Sequence, residues 1–320
     1  SENPRRILPN DGSEVKFSKL ILATGAKPKL LPKEICETEN ALVLRTFEDA
    51  GKIVKNVVTG NSIVIIGGGY IGLELAASLV KIGCKVKIIE MSDRLLSRVA
   101  SKEISDYFYK LHTNNKVSIN LNCQINSIKK TSGKFKSVLK NGNEIFSDKI
   151  LLGIGVDPEM SLAESSSIVC EDGIIVDSNC RTSKKDIYAI GDCCMIKEEN
   201  PIRIESIHNA QYTASKACSS ILGLDLPKYE PPWFWSDQFD IKFQSVGLLP
   251  KKCTTIFRKG NKEGSKSYWS FEGTDFRCIE TINDPQAFMV AKHILQKNIT
   301  KFSKNNIKDP EFNLKSILKN

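Results

Sequence analysis

The stretch Ile63-Val64-Ile65-Ile66-Gly67-Gly68-Gly69-Tyr70-Ile71-Gly72-Leu73-Glu74 constrains this chain more than any other part of it. Its β-branched run predicts a buried strand that feeds directly into Gly-x-Gly-x-x-Gly and then into an apolar helix to about Ile82. In that context Gly67 permits the tight turn, Gly69 lets a pyrophosphate approach the backbone at the positive helix N-terminus, and Gly72 lets helix and strand pack closely. Lys85 to Glu90 reads as the next strand, and Glu90 stands about 20 residues past the glycines, where a carboxylate can accept both hydroxyls of a ribose. A 2′-phosphate would be repelled there, so the pattern favours NAD over NADP, with Arg94 nearby leaving some NADP tolerance. The bland alternative is a glycine-rich turn without a ligand.

At 320 residues the chain is long enough for two or three domains, each with its own core. Punctuation divides it into four segments: 1–44, 45–155, 156–230 and 231–320. In the first, Asp11-Gly12 marks a turn between short strands, and Lys19 to Ala23 reads as a buried strand ending in Thr24-Gly25. With no preceding strand–helix unit to pair with, it reads as a domain entered partway through. The second holds the Gly-rich unit and further strands at Val117 to Leu121 and Ile150 to Leu152. The third turns back through Ile174 to Asp177 and an apolar strand ending in Gly191-Asp192, then a helix from about Asn209 to Leu222 that would rejoin the first. After Pro231-Pro232, aromatic-rich strands and a helix from about Gln286 to Leu295 predict a small α+β cap.

Composition excludes several classes. The 41% hydrophobic and 26% charged residues are those of a folded globular protein. The longest weakly charged run, Ile63 to Val80, contains three successive glycines and Glu74, which argues against a membrane span. Ser1 to Asn10 has no apolar core of a signal peptide, pointing to the cytoplasm or an organelle matrix. The ten cysteines show no Cys-x-x-Cys spacing, so no metal site or iron–sulfur cluster is expected, and they read as reduced thiols. Lysine and arginine exceed aspartate and glutamate by 46 − 37 = 9, a positive field that would speed encounter with an acidic partner, while no nucleic-acid module is recognisable.

Three turns then occur in one order: Ala23-Thr24-Gly25-Ala26-Lys27-Pro28, the Gly-x-Gly-x-x-Gly loop, and Gly191-Asp192. With Leu44-Arg45-Thr46-Phe47-Glu48-Asp49-Ala50, Arg203-Ile204-Glu205-Ser206-Ile207-His208-Asn209-Ala210 and Pro232-Trp233-Phe234-Trp235-Ser236-Asp237-Gln238, the chain resembles the FAD-dependent pyridine-nucleotide oxidoreductases, specifically the ferredoxin reductases of putidaredoxin, rubredoxin and aromatic-dioxygenase systems. The resemblance spans nearly the whole chain. It implies an α/β fold with two Rossmann-like dinucleotide-binding domains, the FAD domain incomplete, and a C-terminal α+β domain facing an electron carrier.

By this resemblance Thr24, Gly25, Arg45, Asp192 and Ile207 attend FAD, and Trp235 lies near the isoalloxazine at the partner-facing surface. Gly67, Gly69, Tyr70, Gly72, Glu74, Glu90 and Gly155 line the NADH path, with Glu74 near the nicotinamide. No catalytic acid, base or nucleophile is expected, because the cofactor carries the chemistry. Trp235 has an alternative reading as a core aromatic, and His208 reads as neutral packing. The family's first strand–Gly-x-Gly-x-x-Gly–helix has no counterpart before Ser1, which leaves open whether the chain as it stands holds FAD. The expected function is passage of electrons from NADH through FAD to a ferredoxin or rubredoxin. The alternatives are another NADH-dependent reductase of the superfamily, disulfide-directed, nitrite-linked or similar to apoptosis-inducing factor, or a non-catalytic NADH-binding fragment.

Overall fold

A computed structural model describes residues 6–9, 11–197 and 202–319. Of the opening stretch read for a leader, residues 1–5 and 10 lie outside these. The chain forms two compact units: residues 1–27 with 157–234, and 28–156 with 235–320.

In the first unit, strands Arg6–Ile7 and Val15–Lys16 pair antiparallel across the Asp11-Gly12 turn. Leu20–Leu22 pairs in parallel with Ile187–Ala189, and Ile174–Val176 with Cys194–Ile196. Leu22, Ile174, Val176, Ala189, Cys193 and Cys194 form one buried cluster here. The helix Ile207–Leu222 starts two residues earlier than its periodicity indicates, because Ser206 caps it by accepting from the Asn209 amide. It ends at Gly223 in the left-handed conformation, φ 67°, which glycine adopts without strain.

The second unit carries the parallel sheet that the Gly-rich motif demanded. Its strand order is Leu42–Val43, Lys149–Leu152, Ser62–Ile66, Lys85–Ile89, Ser118–Asn120. The four central residues Ile63 to Ile66 are all buried, as expected of a strand covered on both faces. The helix Tyr70–Lys81 covers it with Leu73, Ala76, Ala77 and Leu79. A three-stranded antiparallel sheet, Ile125–Thr131, Lys134–Leu139 and Glu144–Ser147, packs onto the same core through Ile125, Ile128, Phe135 and Leu139.

The same unit contains the C-terminal antiparallel sheet, in the order Trp233–Gln238, Ile241–Gly247, Asp275–Ile282, Lys266–Glu272, Thr254–Lys259. Residues 28–156 and 235–320 thus share one compact unit. The join is aromatic: Phe243 stacks on Tyr70 at 5.7 Å and meets Phe108 edge-on at 5.7 Å. The helix Pro285–Gln296, capped by Asp284, buries Phe288, Val290, Ala291 and Ile294.

The polar, lysine-rich C-terminus is held by the buried Ile307, Leu314 and Ile317 and by the side chain of Arg258. Arg258, 5% exposed, donates to the carbonyls of Ile307 at 3.2 Å, Pro310 at 2.9 Å and Phe312 at 2.8 Å, and also to that of Asp309. Burial pushes its pKa down, and Asp284, Asp309 and Glu311 oppose that shift. Removing a guanidinium that serves several carbonyls leaves them without partners. Arg258→Ala is therefore expected to cost about 3 kcal/mol and to expose the segment after Ile299 to limited proteolysis before the rest of the chain.

Candidate functional site: the carboxyl ends of the two parallel sheets

In the second unit the parallel strands all deliver backbone to one edge. The Gly67 amide donates to Ile89 O at 2.9 Å and the Gly153 amide to Ile66 O at 2.7 Å, so loops from three neighbouring strands are laced together. The glycines are demanded for different reasons. A Cβ on Gly67, whose φ is 106°, would stand 2.3 Å from Gly153 O, and one on Gly72 would stand 2.2 Å from Gly67 O. At Gly69 the nearest atom would be 3.8 Å away, so internal packing does not require that glycine. Gly69 is the N-cap of the helix Tyr70–Lys81 and has no side chain to cap it. The first-turn amides, at the positive end of the helix, therefore receive no side-chain cap, which fits a pyrophosphate.

Glu90 is built into this loop. One carboxylate oxygen accepts from the Gly68 amide at 2.6 Å and the other from the Ser92 amide at 2.7 Å. Each oxygen keeps a further lone pair, so the acid is aimed and immobile and still able to accept from ribose hydroxyls. Gly68 itself admits no side chain, since a Cβ would meet Leu95 Cδ2 at 2.6 Å. The residues present therefore fit an NAD(H) molecule.

Arg94 is engaged within its own turn. Its guanidinium donates to Ser105 Oγ at 2.6 Å, Ser97 O at 2.7 Å and Ala100 O at 2.9 Å, bracing the turn below Glu90. Arg98, exposed, has its Nη2 3.3 Å from where a Cβ of Gly155 would be, and Lys29 Cδ lies 3.9 Å from the same point. Gly155 has φ 104° and accepts from the Lys29 amide at 2.9 Å. Sequence spacing singled out the nearer arginine, and only the fold separates the bracing one from the exposed one.

Glu74 lies on the same helix, half-buried, and accepts from Ser236 Oγ at 2.5 Å. Burial raises its pKa, the Ser236 hydrogen bond lowers it, and Asp237 raises it further. Tyr70 is pushed well above the ordinary range by burial, reinforced by Glu280, Cys278 and Glu74. Trp235 stands 38% exposed on the strand Trp233–Gln238, so it is not a core aromatic. Arg45 is exposed and leads into the helix Phe47–Asn56, where Thr46 and Asp49 form a capping box. Ser236 and Gln238 were quoted only as motif letters, and their inward placement needs the strand register.

In the first unit four of the expected residues come together. The Thr24-Gly25 turn and the Gly191-Asp192 turn follow the carboxyl ends of the paired strands Leu20–Leu22 and Ile187–Ala189. Thr24 Oγ1 donates to Glu159 O at 2.6 Å, and the Glu159 amide donates to Gly25 O at 2.9 Å. The Gly191 amide donates to Thr213 Oγ1 at 2.9 Å, seating the second turn against the helix Ile207–Leu222. Ile207, 60% exposed, opens that helix, and Ser206 caps only the Asn209 amide. Arg203, missed as a site residue, reaches Asp192 O at 3.4 Å and buries an Nε that has no hydrogen-bond partner. An acid at a strand end, an orphaned guanidinium nitrogen and uncapped helix amides fit the ribitol and pyrimidine end of a flavin. His208 packs flat on Tyr212, and its Nε2 donates to the Glu230 carboxylate at 2.9 Å.

Among the described residues no group of three or more His, Cys, Asp or Glu could hold a metal, and no helix is long and apolar enough to cross a membrane. The cysteines are free thiols, and burial pushes Cys180 up to about 11.

Two outcomes follow from this geometry. Gly69→Ala should weaken NADH binding about tenfold with little change in melting temperature, whereas Gly67→Ala should lose about 2 kcal/mol of stability, as read by denaturant titration. Glu280 is 1% exposed and accepts from the Ser101 amide at 3.0 Å, and burial raises its pKa from 4.5 to about 7. A carboxyl that holds its proton more tightly in the fold than in the unfolded chain makes stability fall as pH rises from 4.5 to about 7. Glu280→Gln should remove that slope, of order 3 kcal/mol, and melt higher than the parent at pH 8 in calorimetry.

Residues 2–214 match the pyridine nucleotide-disulphide oxidoreductase family, and residues 233–318 match the reductase C-terminal family. The chain is 33% identical to rhodocoxin reductase of Rhodococcus erythropolis over 97% of its own length and 74% of that protein. It is 35% identical to a rubredoxin-NAD(+) reductase of Pseudomonas putida over 88% of the chain and 74% of that protein. Among solved structures, the reductase in a covalent putidaredoxin reductase–putidaredoxin complex superposes with a TM-score of 0.92 at 30% identity, covering 98% of this chain and 77% of that one. A ferredoxin reductase of Rhodopseudomonas palustris gives 0.90 at 29% identity, covering 98% and 78%. This chain belongs to the pyridine nucleotide-disulphide oxidoreductase family, as an FAD- and NADH-dependent reductase of the ferredoxin-reductase type.

Proposed function

We propose that the chain passes electrons from NADH, by way of FAD, to a ferredoxin or rubredoxin. The observation that carries this is the Gly69 cradle and anchored Glu90 in one compact body with a C-terminal reductase sheet that presents Trp235. Bound FAD would supply two-electron acceptance from NADH and one-electron release to the carrier. The chain's own residues bind and orient. In this reading residues 45–155 hold NADH: the amides beyond Gly69 take its pyrophosphate, Glu90 its adenine ribose, and Arg98 faces its phosphates. Tyr70 and Glu74, one and five residues into the helix, border the nicotinamide, and Gly155 bounds the opposite wall.

Segments 1–44 and 156–230 form the flavin side, with Asp192 accepting from ribitol hydroxyls. The uncapped amides at Ile207 would stabilise negative charge gained at the pyrimidine end on reduction. Residues 231–320, with Trp235 exposed, face the carrier, and the excess of 46 basic over 37 acidic residues favours an acidic one. Ten free cysteines support a reducing compartment, the cytoplasm, as the site of action.

The test is an anaerobic NADH titration of the purified chain supplemented with FAD, followed by addition of either a ferredoxin or a disulfide. Bleaching of the flavin bands and reoxidation by ferredoxin alone are expected. Reoxidation by the disulfide instead would move the chain to another branch of the superfamily. Glu90→Ala should lower the preference for NADH over NADPH about tenfold in the same titration.

A further inference from the structure

The strand Trp233–Gln238 alternates, so that Trp235 and Asp237 are exposed while Ser236 and Gln238, 1% and 0% exposed, point into the second unit. The inward pair joins a buried hydrogen-bonded chain. His112, at the end of the helix Lys102–Asn114 and 0% exposed, sits with its Nε2 2.8 Å from Gln238 Oε1. Gln238 Nε2 donates to Ser236 Oγ at 3.0 Å, and Ser236 Oγ donates to Glu74 Oε1 at 2.5 Å.

Each link fixes the next. A carbonyl oxygen can only accept, so His112 carries its proton on Nε2, and the Gln238 amide must then present its NH₂ to Ser236. That donor occupies a lone pair of the serine oxygen, which leaves the hydroxyl proton directed at Glu74. All donors therefore run one way, from His112 towards the carboxylate, and each polarises the one that follows. His112 Nδ1 is buried with no hydrogen-bond partner, so a second proton there would find no acceptor, and burial lowers the pKa of the ring. The chain is neutral except at its carboxylate end.

We infer that Ser236, Gln238 and His112 are positioning residues that keep Glu74 ionised, with one oxygen fixed and the other left to accept the carboxamide N–H of nicotinamide. This rests on the reading of Glu74 as a nicotinamide contact. Without the chain, burial and the neighbouring Asp237 carboxylate both favour a protonated Glu74. A protonated acid would present a donor where the carboxamide also presents one. Among the described residues Tyr70, on its own helix, is a further titratable group set against Glu74, and burial keeps its hydroxyl protonated.

The experiment uses the full chain with Ser236→Ala, Gln238→Met and Glu74→Gln, in two measurements. Infrared difference spectra across a pH titration follow the Glu74 carboxyl band, assigned by its loss in Glu74→Gln. Equilibrium binding of NADH and of ADP-ribose, which lacks the nicotinamide, separates the two ends of the ligand. The Glu74 midpoint is expected to rise by about one pH unit in both Ser236→Ala and Gln238→Met. NADH should bind about fivefold more weakly near neutral pH, with ADP-ribose unchanged. An unmoved midpoint in both folded variants overturns the inference. A moved midpoint, with Glu74→Gln binding NADH and ADP-ribose in the parent's ratio, overturns instead the placement of nicotinamide at Glu74.

Discussion

Everything in the second unit depends on three stretches of backbone being allowed to touch. Gly67, Gly72 and Gly153 bring the loop after one strand, the first turn of a helix and the loop after the next strand to within a methyl group's width of each other. Because no side chain separates them, the helix axis sits low over the sheet, and its uncapped amides open just beyond the strand ends. The position of Glu90, the bracing by Arg94 and the height at which Glu74 meets Ser236 all follow from that close seat. Gly69 alone in the motif is left without an internal reason, and a site is best recognised by that kind of residue.

The elements of this unit were legible because their periodicities are strong. A strand with Ile63 to Ile66 fully buried and a helix with apolar residues on its covered face leave little alternative, and the structure places them at Ser62–Ile66 and Tyr70–Lys81. The capping chemistry of Ser206 was less visible, since Ile207 and His208 precede the apolar repeat, so the helix starts earlier than periodicity suggests. Short paired strands such as Leu42–Val43 carry too few residues to show a period at all.

Of the site, the glycines and Glu90 were readable because their roles are set by backbone geometry close in sequence. What could not be read was which of two arginines braces and which faces outward, because Arg94 and Arg98 differ only in the turn that carries them. Equally hidden was the join between the Gly-rich sheet and the C-terminal sheet. Phe108 and Phe243 are unremarkable apolar letters in their own segments, and nothing local to Tyr70 shows that it stacks on Phe243. Contacts between residues more than a hundred positions apart, such as Glu74 with Ser236 and Ser101 with Glu280, leave no local pattern.

The alternation of the strand Trp233–Gln238 has a consequence for how such a protein can change. Its outward face bears Trp235 and Asp237, and its inward face bears the serine and glutamine that reach Glu74 through the interior. Side chains on a strand switch sides with every residue, so a slip of one position would trade the two faces entirely. Variation on the outer face is therefore open to substitution but closed to insertion or deletion. A lineage adapting to a new electron carrier could repaint this strand, yet it could not re-space it without disturbing the carboxylate on the other side.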